Sequence, residues 1–257
     1  AILNLIGENN EPKVLGINIL GDFNLAGEMW IIKNYFKRMG VKVVARITGD
    51  STTDEIKEAP TASLNIVQCA GSMHYLANQM TEKFGIPYIN VSFLGLADIK
   101  ASLTNVAQLS KDKEIIKRTK ELIETEEKQI EETLAYYKRR LIGKKVAIYV
   151  GGGFKAISLI KQFRELGMET VMVGTQTGKE EDYDIIKEIT NEGTVILDDT
   201  NPAELERFIL EKNADILVGG VKERPLAYKL GIAFCDHNHE RKHALAGFEG
   251  ADRKSVV

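Results

Sequence analysis

The chain has 257 residues, 44% of them hydrophobic and 28% charged, with a formal net charge of −3. That length can bury a substantial core as one domain or two, and the mild acidity excludes a general attraction to nucleic acid. No apolar run approaches the ~20 residues that span a bilayer, no signal-peptide pattern opens the chain, and two distant cysteines, Cys69 and Cys235, exclude a disulfide scaffold.

A cytoplasmic protein is therefore expected, with no membrane and no nucleic-acid partner. Strand and helix patterns alternate from the start. "KVLGINIL" predicts a strand, followed by a turn at Gly21-Asp22 and a helix over 26–39 that closes on Gly40. "VKVVARI" predicts a second strand, after which Gly49-Asp50-Ser51 is expected to cap a short helix over 52–58. "SLNIVQ" gives a third strand, residues 72–84 a helix ending at Gly85, and "YINVSF" a fourth strand entered through Pro87. Residues 97–140 lack Pro and Gly, and Ile115, Leu122, Ile123, Ile130, Leu134 and Tyr137 recur near helical spacing. One helix followed by a longer one, bridging two halves, fits that stretch.

After Gly143 the alternation resumes. "KKVAIYV", "ETVMVG", "GTVILD", "ADILVGG" and "IAFCD" read as strands, with helices over 155–166, 180–190 and from Pro202, the last with Asn201 as N-cap. The expected fold class is α/β: two doubly wound, Rossmann-like parallel-sheet domains linked by a long helix. The first domain is placed at 1–140, including the bridging helix at about 111–140, and the second at 141–257. Each half is expected to hold roughly four strands. The end, "GFEGADRKSVV", suggests no closing helix. The second domain thus reads as truncated and the chain as a piece of a longer protein.

Function in such sheets collects beyond the carboxyl ends of the strands. Cys69 leaves the third strand as either a packed thiol or a thiolate. The helix N-terminus opened by Gly71-Ser72 would lower its pKa and make it a nucleophile, with His74 nearby, or a soft ligand for iron. "GGGFKA" at 151–156 fits G-x-G-x-x-A, but the next strand ends "VMVGTQTG" without the acid that would hold a ribose. What survives is either a tight turn or an anion cradle of bare amides assisted by Lys155. "GTQTGKEE" is one residue too short for a phosphate loop. "DHNHERKH" at 236–243 offers solvated histidines or, with Asp236, Asp198 or Asp199, a hydrolytic metal site through His237 and His239.

Taken together, "INILGDFNLAGEMW", "LNIVQCAGSMHYLANQM", "DDTNPAELERFILEKNADILVGGVKERPLAYKLGIAF" and "DHNHERKHALAGFEGA" resemble the nitrogenase component 1 family, and most closely its cofactor-assembly members. The likeness runs from about residue 12 to about residue 250. It implies the second and third domains of a three-domain subunit, without the first domain whose cysteines hold an interface iron–sulfur cluster.

By that resemblance Cys69 matches the cysteine holding one end of the iron–molybdenum cofactor or its iron–sulfur precursor. Gly152, Gly153 and Phe154 match a loop lining the cluster, with Lys155 a basic neighbour. Lys222 and Arg224 match the basic stretch leading to the far end. Asn238 stands where the catalytic subunit has a histidine on molybdenum. A neutral amide is a poor ligand beside imidazole, so one thiolate plus polar contacts would hold a cluster reversibly.

The resemblance therefore implies a scaffold for iron–molybdenum cofactor assembly rather than a true enzyme. Its partners would be a homologous subunit, in a heterotetramer, and the nitrogenase iron protein. Its site is expected to be empty in this piece alone. A catalytic subunit of the nitrogenase type and a zinc hydrolase using the 236–243 cluster are the alternatives.

Overall fold

The computed structural model describes residues 2–7, 15–68, 70–237 and 243–253. The chain divides into two compact units: residues 1–93 with 98–128, and residues 94–97 with 129–257.

In the first unit a short helix α1 (Ile2–Leu5) precedes β1 (Gly16–Asp22), α2 (Glu28–Met39), β2 (Lys42–Thr48) and α3 (Thr53–Glu58). β3 (Leu64–Val67), α4 (Ala70–Phe84), β4 (Tyr88–Asn90) and α5 (Leu96–Ser110) follow. The sheet order is β2-β1-β3-β4, all parallel, so the winding direction reverses between β1 and β3. β1 is buried along its whole length, as a central parallel strand covered on both faces must be. One face packs Leu20, Ile47 and Val67 against Met73, Ala77 and Met80 of α4.

Local chemistry explains two departures from expectation. The cap of α3 is Thr52, not Gly49-Asp50-Ser51: its hydroxyl accepts from the Glu55 amide while the Glu55 carboxylate accepts from the Thr52 amide. The fourth strand stops at Asn90 instead of Phe93. Beyond it the Ser102 hydroxyl of α5 takes both the amide and the carbonyl of Ser92, so no ladder partner is needed.

α6 (Lys113–Leu141) is the expected long helix; it passes from the first unit to the second after Lys128. The second unit continues with β5 (Lys145–Val150), α7 (Gly153–Glu165), β6 (Glu169–Thr175), α8 (Glu180–Ile189) and β7 (Val195–Asp198). α9 (Pro202–Lys212), β8 (Ile216–Gly219), α10 (Arg224–Leu230), β9 (Ala233–Asp236) and α11 (Gly247–Arg253) complete it. Its sheet holds the five strands read from the sequence, all parallel, in the order β7-β6-β5-β8-β9, and reverses between β5 and β8.

Val146, Ile148 and Val150 face a core that includes Leu159, Ile160 and Phe163 of α7; Ala147 and Tyr149 face Leu205, Ile209 and Leu217. That alternation is the two-residue period of a strand. Asn201 caps α9, accepting from the amides of Ala203 and Glu204. α10 has no counterpart among the helices read from the sequence; Pro225, at N2, presets it. The closing helix α11 also overturns the sequence expectation, and Phe248, fully buried, anchors it.

The tetrapeptide Leu94–Ala97 belongs to the second unit although both flanking segments belong to the first. The Glu165 carboxylate of α7 accepts from the amides of Leu96 and Ala97 at 2.8 and 2.7 Å, capping α5. Among the described residues no helix is long and apolar enough to cross a membrane.

Candidate functional site

Each sheet offers one reversal point. In the first unit it lies between the exits of β1 and β3. The β1 exit is tied by its own side chains: the Asp22 carboxylate accepts from the Asn24 amide, and the Asn24 side chain accepts from the Met29 amide. At the β3 exit the Gln68 amide donates to the Leu20 carbonyl at 2.9 Å. Its side-chain oxygen is buried without a hydrogen-bond partner among the described residues. Sequence reasoning passed over Gln68, whose only signal is its place directly before Cys69. Cys69 itself lies outside the described residues, between β3 and α4 in the chain.

Gly71 lies in the first turn of α4, where an added Cβ would meet nothing within 4 Å among the described residues. His74 is engaged elsewhere, its Nε2 lying 2.8 Å from the Asn90 side-chain oxygen at the end of β4.

In the second unit the reversal lies between β5 and β8. Past β5, Gly151 and Gly152 run into α7, with Gly152 as an N-cap that supplies no side chain. The Gly151 carbonyl accepts from both the amide and the hydroxyl of Thr177, which fixes the turn against the β6 exit. The three glycines differ. A Cβ on Gly153 would collide with the Asp182 side chain, whereas Cβ atoms on Gly151 or Gly152 would meet nothing within 4 Å among the described residues. Phe154 and Lys155 are half-buried in the first turn of α7.

The Lys155 ammonium donates to the His237 carbonyl at 2.7 Å. His237 is 1% exposed and follows β9, its amide bonded to the Gly219 carbonyl at the β8 exit. Arg224, opening α10, pairs with Asp236 at 2.6 Å, so that guanidinium charge is largely met within the protein. Lys222 is exposed in the turn before it. The fold thus brings the Gly152–Lys155 turn to the residues just before Asn238, while Asn238 and His239 lie outside the described residues.

This set offers bare helix amides and a lysine side by side, a donor set suited to an anion. The topology sets Asp198 and Asp199 apart from the 236–239 segment as partners in a hydrolytic metal site. Asp198 ends β7 and Asp236 ends β9, on opposite edges of a five-stranded sheet. Four strand spacings separate them, roughly 19 Å. Among the described residues no cluster of three or more His, Cys, Asp or Glu side chains could hold a metal ion.

Asp198 and Asp199 serve tyrosines instead. Tyr183 donates to Asp198 at 2.7 Å and Tyr149 to Asp199 at 3.0 Å. Burial, reinforced by these carboxylates, pushes both phenols above their ordinary pKa, so they stay protonated donors.

Comparison with known proteins adds extent to these local features. Over 252 residues the chain is 66% identical to the protein named nitrogenase iron-molybdenum cofactor biosynthesis protein NifE of Clostridium pasteurianum, covering 98% of this chain and 55% of that one. It is 37% identical to the nitrogenase molybdenum-iron protein alpha chain of Methanothermobacter marburgensis, covering 96% of this chain and 52% of that one. The chain spans about half the length of these curated relatives. The solved structure "Nitrogenase Cp1 at pH 5" superposes with a TM-score of 0.88 at 28% identity, covering 99% of this chain and 58% of that one. The family model for nitrogenase component 1 type oxidoreductases matches residues 1–254. The chain belongs to the nitrogenase component 1 type oxidoreductase family.

Proposed function

We propose that the chain is part of a scaffold subunit for iron–molybdenum cofactor biosynthesis, which receives an iron–sulfur precursor as cargo, holds it during maturation and releases it. The observation that carries this reading is a set of glycines the fold does not require. Gly71, Gly151 and Gly152 sit at the exits of β3 and β5 with no crowding from the described residues and no left-handed backbone. Alanine at such positions is worth up to about 1 kcal/mol more in stability, so glycine there is best explained by something that must reach the main chain.

An anionic iron–sulfide cluster fits that description. Cys69 would supply the one covalent ligand, at the N-terminus of α4, where the helix dipole favours the thiolate. The amides of Gly152–Phe154 and the ammonium of Lys155 would add charge-assisted hydrogen bonds of about 1.5–3 kcal/mol each. Lys222 would contribute positive potential, Arg224 would line the approach with its charge shared by Asp236, and Asn238 would mark an end without a strong ligand, from which cargo can leave. The whole protein would work paired with its homologue NifN, in exchange with the nitrogenase iron protein. Greater identity to the assembly relative than to the alpha chain favours this over a catalytic subunit.

In the full-length heterotetramer, Cys69→Ala is expected to abolish retention of the precursor. Iron analysis and the cluster's paramagnetic spectrum read this directly, with circular dichroism checking that the variant folds. Full iron content in a folded Cys69→Ala complex would overturn the anchor. Acetylene reduction by the wild-type complex would favour the catalytic reading.

A further inference from the structure

One face of the first unit is basic in a way the fold does not explain. On α2, Trp30, Lys33 and Lys37 fall at spacings of three and four residues and are all exposed, Trp30 to 63%. Lys42 opens the edge strand β2 just beyond the Gly40 turn. Lys33, Lys37 and Lys42 together line a shallow cleft of about 360 Å³, floored by Val41 and Val43.

Neighbouring cations are neutralised: Arg38 pairs with Glu126 and Arg118 with Glu114. In the same unit Lys57 and Lys100 likewise hold carboxylates. Among the described residues, Lys33, Lys37 and Lys42 have no carboxylate within 4.0 Å. The negative end of the α2 dipole accounts for one charge in its last turn, Lys37, but not for three beside an exposed indole.

We infer that this face docks an acidic segment of a partner protein, with an apolar side chain seated on Trp30 and carboxylates laid along the lysine cleft. An exposed tryptophan beside unmet charges is the usual make-up of an interface hot spot with its steering field. Nucleic acid is the weaker occupant, because a single aromatic gives no platform for successive bases. A second copy of this chain is weaker too. The acidic stretch of α6 already carries its own lysines, with Lys117 near Glu121 and Lys120 near Glu124.

Trp30 is the sole tryptophan, so its fluorescence reports on this face alone. The probe is a tryptophan-free synthetic peptide with a leucine leader and a run of glutamates. A matched peptide with glutamine for glutamate, and polyuridylate, serve as competitors. Saturable binding with a blue-shifted, less quenchable Trp30 emission is expected. It should weaken about tenfold or more in Lys33→Glu/Lys37→Glu, and with rising salt.

A labelled peptide should also bind Trp30→Ala less tightly. Absent binding, equal binding of the glutamine peptide, preference for polyuridylate, or an unchanged affinity in the charge-reversed variant would each overturn the inference. So would sedimentation showing self-association that the same charge reversal abolishes. All three substitutions are at exposed positions, and unchanged circular dichroism confirms that a loss is one of binding.

Discussion

Gly152 and Gly153 are adjacent, yet packing requires only the second. Gly153 faces Asp182, whose carboxylate also accepts from the Lys179 amide at the start of α8. Gly153→Ala must displace that side chain and is expected to cost about 1–3 kcal/mol, read as a lowered denaturant midpoint. Gly152→Ala, in extended backbone with no described residue within 4 Å of the added Cβ, is expected to be neutral or up to about 1 kcal/mol stabilising. Equal losses for both would refute the distinction. The string "GGGFKA" announced a bare turn, but not which glycine is structural, because that depends on Asp182 arriving from another helix. Likewise, Lys155 meets the His237 carbonyl across 82 residues of chain. Strand order creates that pairing, and no local pattern encodes it.

Elements with a strong period were readable, and those held by tertiary contacts were not. Val146–Val150 alternates between two cores, and the stripe of α6 separates Ile115, Leu122 and Ile130 from a charged face, so both were visible in the sequence. The Asn201 cap was visible too, since its side chain acts on its own next turn. α11 was hidden because its hold comes from burying Phe248 rather than from propensity, with Gly247 and Gly250 inside it. α5 begins on a cap that sequence could not supply: the Glu165 carboxylate, from another helix. Glu165→Ala leaves two N-terminal amides without their acceptor and is expected to cost about 1–2 kcal/mol. Hydrogen exchange should localise the loss to Leu96 and Ala97. Protection there equal to wild type would show that the cap is dispensable.

At the scale of the molecule, strand order decides which side chains can cooperate. Since β7 and β9 are opposite edges, Asp198→Asn/Asp199→Asn is expected to leave zinc uptake by the chain unchanged in equilibrium dialysis with metal analysis. Zinc lost in that variant would contradict the sheet order. Connectivity has a temporal corollary as well. Leu94–Ala97 leaves the ribosome before the glutamate that grips it, which is encoded 68 residues after Ala97. At about 5–20 residues per second, that tetrapeptide waits roughly 3–14 s for its acceptor. During vectorial synthesis the first amides of α5 therefore gain their carboxylate acceptor only once α7 has been translated.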